Sequence, residues 1–185
     1  NYNKMKKLII LFSVLALIIS SCDNPVSSNQ NIESKAVLIG YENDNTSKYN
    51  IVNGDINSVE IVKAYFDAYN NRDLQAVYEL EHEDVLLYAP NGMVIKSSKQ
   101  HLEGGEKFLA ANQFAKWEIT WSISTHVNFE NKPTENWVTS GILVSSGKDE
   151  ASKTSVSRVV DLMIQDGKVK KGYIHQRQLS ENEKP

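Results

Sequence analysis

The sequence predicts an α+β domain, and three observations carry that prediction. Apolar residues recur at helical spacing between Val59 and Phe114. From Trp117 onward the period falls to two, over long alternating runs. Polar turn signals separate those runs: Asn131 to Glu135 around Pro133, Gly147 to Ser152, and Asp166-Gly167. Helices first, then a meander of long strands, is the α+β pattern.

The first helix is expected to open at Asn57, with Glu60 at capping-box spacing. Val59, Val62, Phe66 and Tyr69 then fall on one helical face. Asn70-Asn71 breaks the pattern, and Asp73 caps a short second helix carrying Leu74, Val77 and Tyr78. Asp84 to Ala89 reads as a strand stopped by Pro90-Asn91-Gly92, with Met93 to Ile95 as its return. Gln100 to Phe114 reads as a third helix, although Gly104-Gly105 should weaken it by about 1 kcal/mol per glycine. Trp117 to Phe129 follows as a strand. Trp117, Ile119, Trp121, Ile123 and Val127 form its expected buried parity, and His126 lies on the wet one. Trp137 to Ser146, Thr154 to Gln165 and Val169 to Leu179 complete the sheet.

Upstream of the domain the chain has a different character. Lys4, Lys6 and Lys7 precede an apolar run from Leu8 to Ile19, and then come Ser20, Ser21 and Cys22, the one cysteine of the chain. The run is shorter than the roughly 20 residues a membrane span needs. A positive start, an apolar run and a small-residue site make a secretory signal, with Met5 the expected start. The cysteine at the cleavage point resembles the lipobox of bacterial lipoproteins. That resemblance implies an acylated Cys22 as mature N-terminus, the lipid bilayer as partner, and a place in the bacterial cell envelope, facing away from the cytoplasm. The expected organisation is thus a signal peptide over 1–22, a flexible tether over 23–57, the domain over 58–179, and a tail over 180–185. Within the tether, Ala36 to Ile39 is the one stretch able to pack as a short strand.

Beyond Cys22 there is no cysteine, which excludes disulfides and thiol chemistry in the domain. Taking the leader's three lysines from the 20 basic residues leaves 17 against 23 acidic ones, a formal charge of −6. A nucleic-acid partner would favour a basic domain, so none is expected. No phosphate loop, nucleophile elbow or metal-ligand spacing is present, and neither metal nor cofactor is expected.

Four segments together resemble the NTF2-like superfamily, and its SnoaL-like bacterial members in particular. They are Tyr65 to Leu74, Asp84 to Gly92, Trp137-Val138, and Asp166 to Val169. The resemblance implies a curved antiparallel sheet wrapped by about three helices into a cone with an apolar pocket. It also implies dimerisation through the outer sheet face. Catalytic members of such a family use a pocket carboxylate as base, beside a group that polarises a carbonyl, but the fold alone selects no reaction.

The residues offer these candidates. Asp161 lies in the apolar stretch Val159 to Ile164, where desolvation would make a carboxylate basic. The alternatives are an outward Asp beside Val159 and Met163 on a partly wet face, or a structural ion pair with Arg158 or Arg177. Tyr173, His175 and Arg177 share one parity of the last strand, as a substrate-binding trio or as a solvated face. Tyr88 is placed by the resemblance near the cone, as a lining or rim residue. Asp161 and His175 are the catalytic candidates, and Tyr88, Tyr173 and Arg177 the pocket candidates. His82, His101 and His126 read as surface groups. Trp117, Trp121 and Trp137 read as core or dimer interface.

Two functions follow. One is a membrane-tethered domain that binds a small apolar ligand or a protein partner without catalysis. The other is an isomerase, cyclase or hydratase with a pocket Asp or His as general base.

Overall fold

A computed structural model describes residues 35–43 and 46–183. The signal peptide, Cys22 and the first part of the tether lie outside the described residues. The compact unit is Ala36–Pro185. In chain order its elements are β1 (Leu38–Asn43), β2 (Lys48–Asn53), α1 (Ile56–Asn70), α2 (Leu74–Glu79), β3 (Glu81–Tyr88), β4 (Val94–Ile95), α3 (Ser98–Ala111), β5 (Lys116–Asn128), β6 (Glu135–Ser146), β7 (Thr154–Gln165) and β8 (Lys168–Gln178). The strands form one sheet in the order β1-β2-β5-β6-β7-β8-β3-β4. All pairings are antiparallel except β3 with β8. The α+β cone expected from the sequence is the observed fold.

Local chemistry sets the helix ends. Helix α1 is capped by Asp55, whose carboxylate accepts from the Asn57 N–H at 2.9 Å, so the cap lies two residues before the expected Asn57. Its buried face carries Val62, Tyr65, Phe66 and Tyr69. At its end Asn70 acts as a substitute strand partner for Trp117: Nδ2 donates to the Trp117 carbonyl at 2.7 Å, and Oδ1 accepts the Trp117 N–H at 2.8 Å. Asp73 caps α2 through the Ala76 N–H, as expected. Helix α3 starts at Ser98, two residues before the expected boundary, because the Ser97 hydroxyl caps it by accepting from Gln100. One glycine of its pair has a packing reason: a Cβ on Gly105 would meet Leu74 at 3.2 Å, whereas Gly104 faces open space.

Two departures from the sequence reading change which residues face the core. Residues 38–43 and 48–53, within the expected tether, form a hairpin. Its second strand pairs Asn50 to Asn53 with Asn128 to Thr125 of β5. The second departure is a β-bulge in β5. Ile119 pairs with Ile142, yet Trp121 pairs with Gly141, so Thr120 is an extra residue. The bulge reverses the parity. Trp117 and Ile119 point inward, whereas Trp121 and Ile123 stand 46 % and 53 % exposed on the outer face. The expected burial of Trp121 and Ile123 is therefore corrected. Ser122 takes the inward place and shares a hydrogen bond with buried Ser140 at 2.8 Å. His126 is half-buried rather than fully wet.

The core fills the space between the inner sheet face and the helices. Leu87, Val138, Ile142, Val144, Val160, Leu162 and Val169 supply the sheet side. Val62, Phe66 and Val77 supply the helix side.

Candidate functional site

A cavity of about 430 Å³ lies between the inner sheet face and helices α1 and α3. Ala89, Pro90, Asn91 and Met93 of the β3–β4 turn form part of its wall. The turn is tight: the Ala89 N–H donates to the Met93 carbonyl at 2.9 Å, and Gly92 takes a φ of 83°. Most of the lining is apolar or aromatic, including Phe66, Phe108, Trp117, Ile142, Val160 and Leu162. That volume is in the range of small-molecule sites.

One end of the lining is polar. Glu81 opens β3 with its side chain 1 % exposed. Its Oε1 accepts from the Tyr65 hydroxyl at 2.5 Å and lies 2.6 Å from His101 Nδ1. The other ring nitrogen, His101 Nε2, lies 2.8 Å from the Tyr69 hydroxyl. A carboxylate beside Nδ1 assigns the imidazole proton to Nδ1 and leaves Nε2 as an acceptor for the Tyr69 O–H. Tyr65, Tyr69 and His101 line the cavity. Burial raises both phenol pKa values, and the neighbouring Glu81 charge pushes them further up.

This arrangement is a carboxylate–imidazole–phenol chain ending at an apolar cavity. While His101 is neutral, Tyr69 donates inward and offers oxygen lone pairs to a ligand. Once the imidazole is protonated, Nε2–H donates to the Tyr69 oxygen and frees the phenol proton for a ligand. The buried Glu81 carboxylate stabilises the imidazolium in that state.

A second polar group enters from the sheet. Arg158 lines the cavity beside Gln176, its cross-strand partner on β8, and its Nε donates to Gln176 Oε1 at 3.0 Å. Burial lowers the pKa of the guanidinium, which nonetheless stays charged.

The residues expected from the sequence lie elsewhere. Asp161 is on the opposite parity of β7 from the cavity-lining Val160 and Leu162, and it accepts from the Thr139 hydroxyl at 2.5 Å. Tyr173, His175 and Arg177 are on the outer parity of β8, since Ile174 and Gln176 face the cavity. Tyr88 stacks on Tyr173 with ring centroids 4.9 Å apart, and Tyr173 stacks on Trp137 at 5.9 Å. These three rings form an aromatic ladder on the outer sheet face. Arg177 pairs with Glu183 of the C-terminal turn at 2.6 Å. Asp161, Tyr173 and Tyr88 are thus brought together, but outside the cone. His175 is exposed.

Conversely, His101 and Glu81 were not legible as site residues. The available signal was the pair Tyr65 and Tyr69, four residues apart beside Val62 and Phe66, because phenols on a buried helix face need polar partners. His82, also read as a surface group, is half-buried, with Nε2 2.8 Å from the Gln165 carbonyl oxygen. Among the described residues no group of three His, Asp or Glu converges as a metal site would require.

No protein-family model matches the chain, and no curated protein matches it by sequence. Solved structures do match its fold. A Catenulispora acidiphila protein with a ketosteroid isomerase-like fold, solved with trimethylamine, is 16 % identical with a TM-score of 0.52, over 65 % of this chain and 87 % of that one. Bal32a, from a soil-derived mobile gene cassette, is 13 % identical with a TM-score of 0.54, over 65 % and 89 %. An LEH-like epoxide hydrolase of M. tuberculosis is 11 % identical with a TM-score of 0.52, over 66 % and 84 %. These similarities, with the cone and its helices, identify the fold of this chain as the NTF2-like, ketosteroid isomerase-like one.

Proposed function

We propose that the domain binds a small, largely apolar molecule in its cone and carries out acid–base chemistry on it, of the isomerase or dehydratase class. The observation that carries this reading is the Glu81–His101–Tyr69 chain, whose phenol lines a mostly apolar cavity. The Tyr69 oxygen takes a proton from an acidic C–H of the ligand while its own proton passes to His101 Nε2. Glu81 stabilises the imidazolium so formed. The reverse transfer returns a proton to another atom of the ligand, or to a leaving oxygen, with no change of redox state. Water exclusion by the apolar walls strengthens each charge interaction along the chain. Neighbours whose descriptions include a ketosteroid isomerase-like fold and an epoxide hydrolase support this class of chemistry on this fold.

A second reading is a binding module without turnover. It is supported by the closure of the chain in the neutral state, where Tyr65, His101 and Tyr69 each already have a partner. One experiment separates the two. Enolisable ketones that raise the melting temperature of the protein are incubated with it in heavy water. Deuterium incorporation next to the carbonyl, reduced about a hundredfold or more in His101→Gln, supports catalysis. Binding without incorporation leaves the module reading.

The setting belongs to the same proposal. Acylation of Cys22 would hold the cone at a membrane of the bacterial envelope. The outer sheet face, where Trp121, Ile123 and Val159 are exposed, would be the surface for a second copy.

A further inference from the structure

The sheet side of the cone has a regular cross-strand order. Ile119, Ile142, Arg158 and Gln176 lie side by side across β5, β6, β7 and β8. Val160 and Ile174 form part of the adjacent row, and Leu162, Gly172 and Leu87 part of the next. All three rows face inward, and Arg158 is the only Arg, Lys, Asp or Glu among the residues that line the cavity.

A charged side chain in such a row usually has an opposite charge beside it. Arg158 forms no ion pair with any of the described residues. The nearest carboxylate in sequence, Asp161, points to the other face and is engaged by Thr139. Glu81 is engaged by Tyr65 and His101. Among the described residues only the Nε of Arg158 has an acceptor, and that acceptor is the neutral amide of Gln176. This bond orients the planar guanidinium and leaves its terminal nitrogens for another partner.

We propose that Arg158 is the anion-recognition group of the cone, and that the ligand is a small apolar acid whose carboxylate is held by the Arg158 guanidinium. A planar carboxylate matches the paired terminal N–H groups in a two-point hydrogen bond. The aromatic and aliphatic walls take the apolar body. The proton chain at His101 enters from the helix side, whereas Arg158 enters from the sheet side, so the two groups engage different parts of one molecule. The guanidinium is half-buried in the cavity wall, so it gains more from a carboxylate than a fully exposed arginine would. The proposal rests on the reading that the cone binds a small molecule, but it needs no turnover.

The test compares 2-naphthoate with 2-naphthamide, which differ chiefly in the anionic group, by calorimetric titration of the full chain. The expected result is binding of the acid at least about tenfold tighter than the amide, in line with a hydrogen-bonded charge pair. Arg158→Met removes the preference, and Arg158→Lys keeps part of it. Arg177→Met, the same charge change on the outer face, leaves the preference intact. Equal binding of acid and amide by the unaltered protein overturns the anion site while leaving the cavity reading in place. A preference that survives Arg158→Met overturns it as well. Failure of both probes to bind overturns the anion site and the cavity reading together. The comparison on the unaltered protein keeps the test decisive even if Arg158→Met does not fold.

Discussion

His101 Nδ1 lies 2.6 Å from Glu81 Oε1, a carboxylate whose side chain is 1 % exposed. A residue on α3 and the first residue of β3 are thereby joined beneath two tyrosines of α1. Glu81→Gln preserves the shape but removes the charge from this junction. Buried hydrogen bonds to a charged group are worth about 1.5–3 kcal/mol. We expect a stability loss of that size in urea denaturation. An unchanged midpoint would show that Tyr65 and His101 do not depend on the carboxylate.

Tyr65 and Tyr69 should remain protonated well beyond the ordinary phenol value of 10.0, because burial and the Glu81 charge oppose ionisation. Above pH 10 the unfolded chain releases these protons and the folded chain keeps them, so unfolding becomes easier as pH rises. Below pH 10 the two states hold them equally and the term is constant. Phenolate absorbance should therefore show two of the eight tyrosines silent until the chain unfolds. Ionisation of all eight near pH 10 in the folded protein would remove the buried cluster.

The bulge at Thr120 gives the two tryptophans of β5 different roles. Trp117 is 8 % exposed and packs against Tyr69 at 5.0 Å between ring centroids. Trp117→Ala should cost about 3–5 kcal/mol. Trp121 is about half exposed and covers Gly141, where a Cβ would meet its indole nitrogen at 2.1 Å. Trp121→Ala should cost roughly 2 kcal/mol. Equal costs in thermal unfolding would contradict the reversed parity.

The β1–β2 hairpin borders the sheet at Val127, which is 4 % exposed and pairs with Ile51. A chain beginning at Gly54 should still fold, since the main core lies elsewhere. It should lose about 1.5–3 kcal/mol through exposure of that aliphatic side chain. Truncation without measurable loss would restore the hairpin to the role of a tether.

Cys22→Ala should abolish metabolic labelling of the chain with a fatty-acid probe. Labelling that persists in the variant would show that the lipid is carried elsewhere, or that the leader is not of the lipoprotein kind.

Much of the architecture was legible because it depends on local rules. The period-two runs of β6 to β8, the Asp166-Gly167 hairpin and the Asp73 cap need only neighbouring residues, and the elements fell within a few residues of their expected bounds. The Asp166 φ of 49° and the Gly167 φ of 75° are what a two-residue hairpin of that sequence requires. The parity of β5 was not legible beyond Ile119. A bulge is an accommodation between two strands, and nothing in Trp117 to Phe129 alone marks Thr120 as the extra residue. The site was hidden for a similar reason. His101 sits among polar neighbours in sequence, and its hydrogen-bond partners Glu81 and Tyr69 are 20 and 32 residues away. Asp161 was chosen for its apolar neighbours and His175 for its strand parity, and neither signal says which face of a strand lies under the helices. The packing of α1 and α3 onto the sheet settles that, because the faces carrying Val160, Leu162 and Ile174 bury their apolar surface there. The chain by itself therefore determines most elements of the domain from α1 onward and their order. Which side chains meet inside it depends on contacts between residues far apart in sequence, whose polar groups are buried only when helices and sheet come together.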